Sequence, residues 1–342
     1  MKKSIATALL ATLAFALAVP AFAQGKPELS KIRLGVGGKA SLYYLPLTIT
    51  ERLGYFKEEG LEVEISDLQG GSKTMQALVG GSIDVASGAY EHTITIQAKG
   101  QTIQAFVAQG RYPGFALGVV KAKAGAYKSA KDLKGMKIGV TAPGSGTQTF
   151  VEYLLNKEGL KGSDVAFIGV GTAAVGAAAV RTGRIDAISN IDPLMTELES
   201  TGDVVIMVDT RTTQGTLAVF GSPMPAATLY TSREFIAKNP RTVQALTNAM
   251  VRALLWLQKA TPAQVAEAVP PQYLLNNRDL YLASYMKVRE GISPDGLFPR
   301  EGVENTLKML QEFDAATKAA TIRLDETYTN RFVEQALKSV KR

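Results

Sequence analysis

Ala77-Leu78-Val79-Gly80-Gly81-Ser82-Ile83-Asp84-Val85-Ala86-Ser87 and Ala179-Val180-Arg181-Thr182-Gly183-Arg184-Ile185-Asp186-Ala187-Ile188-Ser189 align without a gap, 102 positions apart. Both carry Gly-x-Ile-Asp-x-x-Ser. Working upstream, the match continues. Ile32–Val36 reads as a strand, then a Gly/Ser-rich loop, then a helix stopping near Gly54. Lys137–Val140 is again a strand, followed by the same kind of loop and a helix. After the first helix comes Tyr55-Phe56-Lys57-Glu58-Glu59-Gly60-Leu61, and the second unit closes with Asn156-Lys157-Glu158-Gly159-Leu160. Agreement of order, spacing and both ends marks an internal repeat. Each copy is long enough for a βαβαβ half-sheet, so the chain predicts two similar α/β lobes, each with a largely parallel sheet.

Local signals agree. Phe150, Val151, Leu154 and Leu155 recur at helical spacing, which buries one face. Pro46 stands near a helix start, where its missing N–H costs nothing. Gly54 and Gly159 fall where helices should stop. The repeat's two Asp residues are expected to be structural, capping or pairing with backbone. From about Asn239 only helical patterns remain, beginning with the stripe Val243, Leu246, Met250, Leu254 and Leu257. Trp256, in that first helix, is expected in the core. Two apolar runs, Phe115–Val120 and Ala227–Thr231, border the second copy, and they are expected to carry the chain between lobes as a two-strand hinge. The expected division is a signal peptide at 1–23, a first lobe at 24–122 and 217–342 with the hinge strands and C-terminal helices, and a second lobe at 123–216.

The beginning of the chain predicts export. Lys2 and Lys3 precede an uncharged apolar run, Ile5–Val19, then Pro20 and Ala21-Phe22-Ala23, a small-x-small cleavage pattern. The run is short for a bilayer span, which needs about 20 apolar residues. The chain has no cysteine, hence no disulfide and no lipid-bearing residue at the cleavage site. An exported, unlipidated protein is expected in a periplasm. The sequence carries 38 basic and 31 acidic residues, for a net charge of +7. That excess is scattered, so a clustered nucleic-acid stripe is excluded.

In open α/β sheets ligands bind beyond the carboxyl ends of the strands. The repeat places three such loops on each lobe: 37–44, 69–72 and 88–92, against 141–147, 169–173 and 190–193. Several are built of Gly, Ser and Thr, which brings backbone N–H groups at helix starts close to a ligand and favours an anion or partial negative charge. Ala142-Pro143-Gly144-Ser145-Gly146-Thr147 is no phosphate loop, since Gln148 stands where lysine is required. Gly35-x-Gly37 lacks the third glycine of a dinucleotide fingerprint. His92 is the sole histidine, so no metal site is expected, and no nucleophile elbow supports a triad. The contact candidates are Tyr43 and Tyr44 as aromatic walls, Gly71, Glu91 and His92, Arg111 for an acidic ligand group, and Gly146.

The order Pro46-Leu47, Gly54-Tyr55-Phe56-Lys57-Glu58-Glu59-Gly60-Leu61, Gly70-Gly71-Ser72 and Gly81-Ser82-Ile83-Asp84 resembles the nitrate/sulfonate/taurine family of ABC-transporter substrate-binding proteins. Asp132-Leu133-Lys134-Gly135, Gly144-Ser145, Gly183-Arg184-Ile185-Asp186-Ala187 and Pro193 fit it too. The resemblance covers roughly residues 32–240. It implies the type II periplasmic-binding fold: two α/β lobes, two crossing strands and C-terminal helices. It also implies a monomer that closes on a small molecule, uses no cofactor, makes no bond, and serves an inner-membrane ABC permease with its cytoplasmic ATPase. Carried over by the resemblance, Ser41, Ser72, Tyr90, Ser145, Thr147 and Asn190 become contacts. Tyr90-Glu91-His92 departs from the small residues and proline common in relatives. Glu91, with Asp192 opposite, points away from a simple sulfonate or nitrate and toward a ligand with donors, such as an amine, a pyrimidine or a protonated carboxylic acid. Two alternatives stand beside transport: an enzyme on the same fold, such as a pyrimidine-precursor synthase that consumes its own histidine, and a ligand-sensing partner of a membrane receptor.

Overall fold

The computed structural model describes residues 25–340, so the expected signal segment lies outside the described residues. Two five-stranded sheets organise them. In the first, β1 (Lys31–Val36), β2 (Glu62–Asp67) and β3 (Val85–Ala89) run parallel in the order β2-β1-β3. In the second, β6 (Lys137–Val140), β7 (Ala166–Gly169) and β8 (Ala187–Asn190) run parallel as β7-β6-β8. The sequence repeat is thus a repeat of half-sheets. Its two Asp residues do the same work: the Asp84 carboxylate accepts the Arg33 backbone N–H at 2.9 Å, and that of Asp186 accepts the Lys137 N–H at 2.8 Å. Each fastens the start of the neighbouring parallel strand, the structural role expected of them.

Each half-sheet is completed by antiparallel strands from elsewhere in the chain. β10 (Ala227–Ser232) lies between β3 and β4 (Ile103–Ala108). β5 (Ala116–Val120) lies between β8 and β9 (Val204–Asp209). This corrects the expected boundary near residue 122, because β5 belongs wholly to the second sheet. Helix Thr213–Phe220 also stays with the second lobe. The crossings are therefore the irregular segments 110–115 and 221–226. They run side by side, with Met224 N–H donating to the Arg111 carbonyl and Ala226 N–H to that of Gly110.

The C-terminal helices do more than cap the first lobe. In helix Pro240–Lys259, Val243, Leu246, Met250, Leu254 and Leu257 are all buried against β1, β4 and helix Leu45–Arg52. Fully burying such side chains stabilises by about 1.5–3 kcal/mol each. Trp256 packs partly buried on the same core. Helix Arg300–Phe313 packs on helix Gly146–Lys157 of the second lobe and on helix Glu91–Gln97 of the first. One apolar core consequently runs from Tyr90 and Ile94 through Phe298, Val303 and Met309 to Phe150 and Val151. The far face of the second sheet has its own small core around Ile188, Leu194 and Leu198.

Candidate functional site

The carboxyl ends of the two parallel half-sheets face each other. Gly37 follows β1, Ala89 ends β3, Thr141 follows β6 and Ile191 follows β8, and all four line one interlobe cavity of about 20 Å³. Helices Gly71–Val79 and Gly146–Lys157 begin at that cavity, one from each lobe. Their first N–H groups are the positive ends of helix dipoles aimed at the same spot.

The lobes touch there. Ser145 Oγ accepts the Ser72 N–H at 3.2 Å and lies 3.2 Å from Ser72 Oγ, which donates to the Pro143 carbonyl at 2.8 Å. Leu42 N–H donates to the Asp192 carbonyl at 2.9 Å, and Tyr43 stacks on Phe115 with centroids 5.7 Å apart. Glycine is needed where the approach is closest. A Cβ on Gly146 would collide with the Glu91 carboxylate, and one on Gly71 would come within 3.0 Å of His92 Cε1.

Seven expected residues line this cavity: Tyr43, Tyr44, Gly71 and His92 from one lobe, with Ser145, Gly146 and Thr147 from the other. Glu91 lines an adjoining cavity of about 20 Å³ with Phe115, Gly146 and Met224. Neither member of the Glu91–His92 pair is fully partnered. His92 Nδ1 lies 3.2 Å from the Tyr230 hydroxyl, but Nε2 has no well-formed hydrogen bond, and neither has Glu91 Oε1 nor the Tyr43 hydroxyl. Burial lifts the Glu91 carboxyl to about 7. Burial also lowers the His92 imidazole to about 4, against an opposing pull from the Gly144 carbonyl across the cleft. At neutral pH the histidine is therefore neutral and the carboxyl is divided between its two forms.

Other expected contacts are committed elsewhere. Tyr90 is corrected to a core residue: its hydroxyl is 2.6 Å from Thr327 Oγ1 and its ring packs on Phe298, behind the sheet. Arg111 is corrected too, because its Nε donates to the Glu290 carbonyl at 2.8 Å and its guanidinium lies over Tyr112. Ser41 Oγ donates to the Gly38 carbonyl, and Asn190 bridges the Gly171 carbonyl and the Ile191 N–H, so both shape loops. Asp192, fully buried, accepts the Thr196 N–H at 2.8 Å and lies 3.5 Å from Arg211 Nη1. It lines the cavity at the crossing segments, through an unpaired Oδ2, and not the one beside Glu91. Arg211 is 1% exposed and also pairs with Asp209 at 2.7 Å and Glu199 at 3.1 Å. Nothing in the spacing of Arg211 singled it out, since its partners come from three separate elements. Phe115, expected as hinge, lines the site because the crossing segment passes directly beneath it. Among the described residues no group of three or more His, Asp or Glu is arranged to hold a metal, and no helix is long and apolar enough to cross a membrane.

Two α/β lobes joined by paired crossings, with their sheet ends turned onto one cleft, make up the periplasmic binding protein fold. Within it, the chain belongs to the NMT1-like family, whose pattern matches residues 25–269. A solved structure from Bordetella bronchiseptica RB50 is 50% identical, with 93% of this chain and 100% of that one covered at a TM-score of 0.90. The alkanesulfonate-binding protein SsuA of Xanthomonas axonopodis pv. citri, solved with MOPS, shares the fold at 18% identity and a TM-score of 0.67, covering 89% of this chain and 99% of that one. The 4-amino-5-hydroxymethyl-2-methylpyrimidine phosphate synthase of Schizosaccharomyces pombe is 29% identical over 240 residues, 67% of this chain and 66% of that protein.

Proposed function

We propose that the protein is an exported solute-binding component of an ABC importer, working in the periplasm as a monomer. It captures a small polar organic ligand between its lobes, whether a sulfonate, a carboxylate or a nitrogen compound, and presents it to a membrane permease driven by an ATPase. The observation that carries this reading is the pair of opposed helix starts at Gly71 and Gly146, one on each lobe, converging on a single cavity. Such an arrangement gains binding energy only when both lobes contact one molecule, so ligand and closure are coupled. Tyr43, Tyr44, His92, Ser145 and Thr147 are the proposed contacts, with Glu91 beside them. The test is a panel of sulfonates, carboxylates, amines and heterocycles offered to the purified protein. A ligand of the right class raises the melting temperature and compacts the scattering profile; a panel that changes neither sinks the reading.

A second reading, an enzyme of the pyrimidine-synthase kind, is favoured by the likeness to the S. pombe protein and by His92. That sole histidine sits in the cleft as a neutral imidazole with no well-formed hydrogen bond at Nε2. It would be the residue consumed. Product released by the wild type and absent from His92→Ala would establish this reading over transport.

A further inference from the structure

A second cavity, of about 40 Å³, lies at the base of the cleft against the crossing segments. Tyr43 and Ile191 line it and also line the central cavity, so these two side chains lie between the two. Its polar side chains are those of Gln109, Asp192 and Arg211, with the hydroxyl-bearing Tyr43 and Tyr112. Gln109 and Asp192 are each 1% exposed, and each has one side-chain oxygen without a partner. Gln109 Nε2 is spent on Ser87 Oγ at 2.8 Å, which leaves Oε1 orphaned. Asp192 Oδ1 is spent on Thr196 and Arg211, which leaves Oδ2. Two orphaned acceptors on one small cavity ask for a donor, because leaving such groups unpaired is costly.

The charge around the cavity has the same sign. Asp192, Glu199 and Asp209 are gathered by Arg211 and Lys287, three acids against two bases. By formal charge the cluster is one negative in excess, with the Arg211 guanidinium itself on the cavity wall. The central cavity has the opposite bias, since two helix N-termini open onto it.

We propose that the hinge cavity is the subsite for a hydrogen-bond-donating, nitrogen-bearing group of the ligand, received by Gln109 and Asp192, while the ligand's acidic or acceptor end meets the helix starts at Gly71 and Gly146. This rests on the reading of the chain as a solute-binding protein and narrows its ligand to molecules with a donor at one end and an acceptor at the other. Tyr43 and Ile191, shared by the two cavities, set the spacing of the two ends.

Matched pairs test it: β-alanine against propanoate, taurine against ethanesulfonate, and 4-aminopyrimidine against pyrimidine, each titrated into the mature chain by thermal shift and calorimetry. The nitrogen-bearing member of at least one pair binds about tenfold tighter or more, the size expected for a buried charge-assisted hydrogen bond. Gln109→Met, of similar shape without the acceptor, brings that ratio toward one, whereas Gln109→Glu keeps or enlarges it. The Glu variant also guards against a misfolded Met variant. A crystal of the complex shows the nitrogen between Gln109 and Asp192. Binding with no preference within any pair, a preference that survives Gln109→Met, or ordered water alone in the hinge cavity overturns the subsite and leaves the transport reading standing. If no member of any pair binds, and the broader panel also fails, the transport reading falls and the subsite with it.

Discussion

After β3 the chain continues Tyr90-Glu91-His92, and after β8, at the equivalent point of the other lobe, it continues Ile191-Asp192-Pro193. Both tails put a buried carboxylate near the cleft. Each has one oxygen unpaired, but Glu91 has no cation beside it among the described residues, whereas Asp192 is held by Thr196 and Arg211. The first lobe therefore keeps a titratable pair at the cleft, and the second uses the corresponding turn to build a charged strut. Duplication supplied the geometry, and the neighbours decided what each copy does with it.

The strut is the place where that contrast breaks most visibly. Arg211→Met strands Asp192 as an uncompensated buried charge and should cost about 3–5 kcal/mol in urea unfolding. Adding Asp192→Asn should recover much of the loss, and a double variant no better than the single one would count against the strut.

The titratable pair answers to pH. The Glu91 carboxyl is raised from 4.5 to about 7, so its contribution is most favourable below pH 4.5 and is lost as pH rises through 7. His92 is lowered from 6.5 to about 4, so its contribution is present above 6.5 and is lost as pH falls through 4. Each is worth at most about 3 kcal/mol, and between pH 4.5 and 6.5 the two slopes oppose each other. Relative to wild type, Glu91→Gln should therefore gain stability as pH rises from 4.5 to 6.5, while His92→Asn should lose it. Parallel curves for all three proteins would refute the assignment.

The lobe contacts come next. Gly146→Ala places a methyl against the Glu91 carboxylate and the Phe115 ring, at an overpacking cost of about 1–3 kcal/mol. X-ray scattering should show a more open average shape. Ser72→Ala removes the hydroxyl that bridges to Pro143 and Ser145, worth about 1 kcal/mol. It should weaken ligand binding by a few fold through easier opening. Smallest is Lys287→Met. The Lys287–Glu199 pair links the lobes at 2.5 Å but is about one-third exposed on each side, so the effect should be under about 1 kcal/mol and should vanish in high salt.

Much of the cleft's lining is legible in the sequence. Glycines, small hydroxyl residues and helix starts recur at matched places, and those are local properties of the chain. Tyr90 and Arg111 differ from the expectation because their loops are right but their side chains turn away from the cleft cavities, to Thr327 and Glu290, partners over 170 residues away. Gln109 and Arg211 went unremarked because a buried polar residue looks like a surface one until its neighbours are known.

The sequence by itself determined the duplication, the two parallel half-sheets and the two Asp residues that pin them, because backbone pairing and hydrophobic period are written in short stretches. Only the tertiary structure decided which strands complete each sheet, where the crossings fall, that helix Arg300–Phe313 braces both lobes, and which carboxylate at the cleft gains a cation. Those outcomes depend on contacts between residues far apart in the chain, and burial and charge compensation exist only once the chain has folded.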